Sequence, residues 1–116
     1  MAKILFTYSI PESIRLNSEI PLPKKIVMRQ LSADEELQAH RVGRAEYMKS
    51  QYDAVKRAIV KLDSQDVSYA EGTSDKFWEN CGPKMRSLLL QAYNRSTAPT
   101  AEEESSFLGS AEIQTS

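Results

Sequence analysis

A capping box followed by a long apolar stripe constrains this chain more than any other feature. Ser32-Ala33-Asp34-Glu35 sets a hydroxyl ahead of a helical first turn and a glutamate three residues on. The serine oxygen can then accept from the Glu35 amide while the carboxylate reaches back to the serine amide, so a helix starts here. Beyond it Leu37, Arg41, Ala45, Met48, Tyr52, Val55, Ile59 and Leu62 recur at helical spacing along one face. The spacing predicts one helix over residues 33–62, about 45 Å long. Gly43 and Ser50 are its weak points, because an interior glycine costs about 1 kcal/mol relative to alanine. A break at either, giving two shorter helices, is the alternative.

Ahead of that helix, Ile4 to Tyr8 is apolar and β-prone and is stopped by Pro11, which predicts an edge strand or a loose arm over residues 1–12. From Lys24 to Leu31 the pattern alternates, with Ile26, Met28 and Gln30 on one side and Val27, Arg29 and Leu31 on the other, as a strand requires. Its partner is expected at Ser13 to Ile20, completing a small antiparallel hairpin. After the long helix, Asp63 to Asp66 brings short polar residues that end it, and Val67-Ser68-Tyr69 is a candidate short strand before the Gly72 turn.

Ser74 and Asp75 are placed to cap a short helix carrying Phe77 and Trp78. Gly82 ends it, and Pro83 occupies the first turn of the next helix, where its missing N–H costs nothing. That helix directs Met85, Leu88, Leu89, Ala92 and Tyr93 inward, and Lys84, Arg86, Gln91 and Arg95 outward. Thr97 to Pro99 is a linker. Thr100-Ala101-Glu102-Glu103 is a second capping box, and Glu102, Glu103 and Glu104 suit the positive end of a helix dipole. A last short helix carries Phe107, Leu108 and Ala111, with fraying expected after Glu112. The fold class is α+β, mostly α: a small N-terminal β-hairpin followed by three to four helices. The expected division is an arm over 1–12, a single α-rich domain over 13–96, and a linker with a short helix and frayed tail over 97–116.

A chain of 116 residues holds one ordinary domain. Fifteen basic against sixteen acidic side chains give a net charge of -1, too little positive charge to drive counterion release from nucleic acid. The single cysteine forms no internal disulfide, which fits a reducing compartment. No apolar run approaches the roughly 20 residues that cross a bilayer. The first ten residues lack the length and cleavage site of a signal peptide, so the expected location is the cytoplasm.

Catalytic equipment is not apparent. His40 is the only histidine and has no cysteine, aspartate or second histidine at metal-ligand spacing on its face, which favours a surface residue. Cys81 precedes a helix start near Lys84, a setting that can activate a thiol, but a nucleophile also needs a base and an orienting group. The glutamates at 35–36 and 102–104 directly follow caps and are explained by helix starts. Glu46 and Asp53 interrupt the basic residues between Arg41 and Lys61, and the four glycines form no phosphate loop. No enzyme activity, cofactor or metal is expected. For partner binding the candidates are Trp78 and Tyr93, aromatics of a type that interfaces favour although rings at such helical positions are more often core, and Phe107, Leu108 and Ile113. The last three sit on a tail too short to hold itself together, so it must dock on this chain or another.

Taken together, the run from Ile26 to Glu36, the long helix, Asp75-Lys76-Phe77-Trp78, Gly82-Pro83-Lys84-Met85-Arg86, Ala92-Tyr93 and Thr100 to Phe107 resemble the small tail assembly chaperones of tailed bacteriophages. The resemblance covers roughly residues 24–110. It implies a non-enzymatic binder of the tape measure protein and of tail tube subunits, acting in the host cytoplasm during virion assembly. Self-association is compatible with it. A permanent structural subunit of a phage tail, neck, baseplate or related contractile injection particle is the alternative, and would place the chain in the virion.

Overall fold

A computed structural model describes residues 4–44 and 46–110. A four-stranded antiparallel sheet lies against a mostly helical layer, with strands β1 (Leu5–Ser9), β2 (Lys25–Arg29), β3 (Ile59–Leu62) and β4 (Gln65–Asp66) side by side in chain order. The helices are α1 (Glu12–Leu16), α2 (Ala33–Val42), α3 (Tyr47–Ala58), α4 (Thr73–Asn80), α5 (Pro83–Thr97) and α6 (Ala101–Gly109). The α+β, mainly helical architecture stands.

The strand β2 behaves as its alternation requires. Ile26 and Met28 point into the core, almost fully buried, while Val27 and Arg29 lie on the other side, half-buried. Its partner is not Ser13 to Ile20. The arm supplies it, with Phe6 opposite Met28 and Tyr8 opposite Ile26, and residues 12–16 form α1 instead. Pro11 explains the exchange: its fixed φ suits the start of a helix, and its carbonyl accepts from Ile14 and Arg15. Of the arm, Leu5–Ser9 is thus an edge strand of the sheet, and Ile10 just after it belongs to the core.

The predicted 30-residue helix is three elements. It folds back after Gly43, and it ends at Ala58, where the chain passes directly into β3. Gly43 and Ser50, the two weak points, lie against each other across the resulting antiparallel pair. A Cβ on Gly43 would fall 2.5 Å from the Ser50 backbone nitrogen and 2.8 Å from its Cα. The glycine is there for close helix approach, with an ordinary φ of -74°. At the other end Ile59-Val60-Lys61-Leu62 satisfies a helical stripe and an alternating strand equally well. Pairing with β2, and the β-branched Ile59 and Val60, decide for the strand. A bulge at Val60 shifts the register so that Val27 faces Lys61 while Met28 faces Ile59. The anticipated strand at Val67 to Tyr69 is displaced upstream to β4.

Ion pairs and turns fasten the layers. Arg29 on β2 grips Glu35 of the first capping box with both ends of its guanidinium, and Glu35 also accepts from the Ser32 amide. Asp63 turns the β3–β4 hairpin with φ 56°, and its carboxylate accepts from the Lys24 and Lys25 amides. Ser74 does not cap α4. Gly72, at φ 79°, holds the cap position, and Ser74 is fully buried with no hydrogen-bond partner for its hydroxyl. Around Val55, Ile59, Trp78 and Leu89 the helices close over the sheet in one core.

Candidate protein-binding surface

The C-terminal arm is a capped helix that buries no side chain among the described residues. The Thr100 hydroxyl accepts from the Glu103 amide at 3.1 Å, and the Thr100 amide donates to the Glu103 carboxylate at 2.9 Å, so the second capping box forms. Hydrogen bonding from the Thr100 backbone amide first, and then from its side chain, holds the Glu103 carboxyl below its ordinary range. Yet no residue of α6 is buried: Phe107 is 76% exposed and Leu108 63%. Helical spacing sets Ala101, Glu104, Phe107 and Leu108 on one face. Burying one such large side chain is worth about 1.5–3 kcal/mol, a gain this arm does not collect within its own chain.

Three residues keep it outboard. Ala98 has an extended ψ of 140°, enforced because the following Pro99 clashes with the helical alternative. The proline ring fixes φ at Pro99. Thr100 must take the extended N-cap conformation, and does, at φ -69° and ψ 162°. The molecule is accordingly elongated, 63 Å in its longest dimension.

Beside α5 runs an apolar groove of about 180 Å³, bounded across from the helix by Tyr8, Ile10 and Pro11 and along it by Leu88, Ala92 and Arg95. The Tyr8 hydroxyl donates to the Ala92 carbonyl at 3.2 Å, tying one wall to the other. Arg95 is its one charged lining residue. A second set of exposed apolar side chains lies around the α2–α3 turn: Leu37, Val42, Tyr47 and Met48. Leu37, Arg41 and Met48 of the predicted stripe therefore face solvent, and α2 buries only Ala39.

Of the five candidate binding residues, Phe107 and Leu108 are presented. Trp78 and Tyr93 are corrections: they are 5% and 8% exposed, and Trp78 packs on Tyr52 with ring centroids 5.1 Å apart. Each falls on the inner face of its helix against the core, so core packing takes both rings. Ile113, with the expected fraying after Glu112, lies outside the described residues.

The remaining candidates do not converge. Cys81 is buried, its thiol donates to the Trp78 carbonyl at 3.4 Å, and burial raises its pKa, the reverse of activation. His40 is exposed on α2 and lines a different depression from that of Cys81. Among the described residues no three His, Cys, Asp or Glu side chains lie close enough to hold a metal ion, and no helix is long and apolar enough to cross a membrane.

One cluster escaped the sequence. Asp53, 5% exposed, accepts from Arg57 at 2.7 Å and from the Tyr69 hydroxyl at 2.6 Å, while the Arg57 guanidinium lies 4.2 Å over the Tyr69 ring and donates to Gln38. Burial first, and then the Asp53 carboxylate, push the Tyr69 hydroxyl above its ordinary pKa. The Asp53–Arg57 spacing of one helical turn was available as a signal, but nothing local announces that Tyr69 comes back to it. Every polar group of the cluster is matched, so it pins α2, α3 and the loop before α4 together. Comparison with family models, curated proteins and solved structures finds no match for this chain.

Proposed function

We propose that this chain is a non-enzymatic binding protein of the phage tail assembly chaperone kind, which holds the tape measure protein or tail tube subunits through apolar helical contacts. The observation that carries the reading is the outboard arm: a helix capped at its start, bearing Phe107 and Leu108 in the open, with none of its residues buried among the described residues. Short amphipathic helices of this sort gain their stability from a partner. A long, helical, apolar client supplies what the arm lacks, and covering such a client's stripes would prevent its premature aggregation. The sequence resemblance adds the identity of the client. The site of action that follows is the cytoplasm of the infected cell.

The test is co-expression with an intact tape measure protein, followed by purification and mass measurement of the complex. Wild-type chain should co-purify, and Phe107→Ala/Leu108→Ala should lose the client while keeping its own fold. A client held equally well by the double variant would overturn the reading. The second reading, a permanent tail, neck or baseplate subunit, is favoured by β1, an open edge strand with Leu5 exposed, which suits fixed strand-to-strand contacts. Recovery of the chain in fixed copy number from finished particles would decide for it.

A further inference from the structure

We propose that two copies of this chain exchange their C-terminal arms, α6 of each seating in the α5 groove of the other. The proposal stands on the fit of arm to groove and describes the chain without its client, which would compete with the groove for the same Phe107 and Leu108. The dimensions agree: α6 is about 14 Å long, and α5 from Met85 to Arg95 spans about 15 Å. So does the chemistry. The arm offers Phe107 and Leu108 with one carboxylate, Glu104, a turn earlier on the same face. The groove offers Leu88 and Ala92 opposite Ile10, with the single cation Arg95 a turn beyond Ala92. Laid antiparallel to α5, the arm brings Glu104 level with Arg95 as Phe107 and Leu108, one turn on, come beside Ala92, with Leu88 a further turn along the groove.

The linker decides between a chain's own groove and another's. Return of α6 onto its own α5 needs a tight turn at Ala98-Pro99-Thr100, where Ala98 and Thr100 are both extended and the ring fixes φ at the proline between them. An arm that cannot turn back reaches a second molecule. Reciprocal exchange about a two-fold axis then fills two grooves per pair and doubles the surface that one short helix could bury.

Sedimentation of the full-length chain from low micromolar to low millimolar concentration should show a monomer–dimer equilibrium. Phe107→Ala/Leu108→Ala should abolish it with the helical circular dichroism intact, since both side chains are exposed. The deciding arm is a charge exchange. Glu104→Arg and Arg95→Glu chains, each alone, set like charges together and should dimerise about tenfold more weakly or worse. Mixed one to one, they regain opposite charges in both grooves and should form heterodimers at wild-type strength. A wild-type monomer throughout the range, a dimer surviving in the double alanine variant, or a mixture no stronger than either component would each overturn the proposal.

Discussion

At the scale of single residues, the polar groups that matter most are those the core closes over. Asp53 is buried because Arg57 and Tyr69 satisfy both of its oxygens. Asp53→Ala should therefore cost about 3 kcal/mol in urea unfolding, since it strands a guanidinium whose side chain is 12% exposed. Ser74 is the opposite case, a buried hydroxyl with no partner. Ser74→Ala removes an unpaid desolvation and should raise stability by about 1 kcal/mol, read as a higher melting temperature. Glu35 links residue chemistry to pH. The Arg29 guanidinium first, with the Ser32 contacts, lowers its carboxyl from an ordinary 4.5 to about 2. The unfolded chain thus takes up the proton first as pH falls. The stabilisation is fully present above about 4.5 and disappears toward about 2. The fall in unfolding midpoint across that window should shrink in Glu35→Gln, and an unchanged slope would show that Glu35 does not contribute to it.

At the scale of elements, the decisive event is the break after α2. The Gly43 contact with Ser50 lets two helices approach at backbone distance, and a methyl group there meets backbone atoms that cannot swing aside. Gly43→Ala should destabilise the protein by about 1–3 kcal/mol, against the small gain that alanine brings to an isolated helix, and denaturant titration distinguishes the two signs. The starts of α2 and α6 were legible in the sequence because a capping box is a local device, written in four adjacent residues. The start of α5 was legible for a similar reason, with Pro83 at its first position. The end of α3 was not. Ile59 and Leu62 fit either period, and only the presence of β2 alongside selects the strand. Likewise β1 could be read as a strand, but not as the partner of β2, since pairing depends on which segment the packed helices leave free.

At the scale of the whole molecule, a compact core carries an arm that contributes nothing to it. The radius of gyration is 16.7 Å, against about 13 Å expected for a compact chain of this length. Truncation after Ala98 should leave the melting temperature within about 2 °C of the full chain at concentrations where both are monomeric, because no side chain of α6 is buried. A large drop would place the arm in the core after all. Local chemistry by itself determined both capping boxes, the alternating strand β2, the proline-led α5 and the apolar character of the arm at Phe107 and Leu108, because each depends on residues within a few positions of one another. Tertiary structure alone decided that Trp78 and Tyr93 turn inward, that Tyr69 joins Asp53 and Arg57, that the stripe of residues 37–62 divides into two helices and a strand, and that a groove opens between α5 and the end of β1. Those outcomes turn on which surfaces meet across long stretches of chain, and contact energy between distant segments outweighs the weak preferences of any one of them.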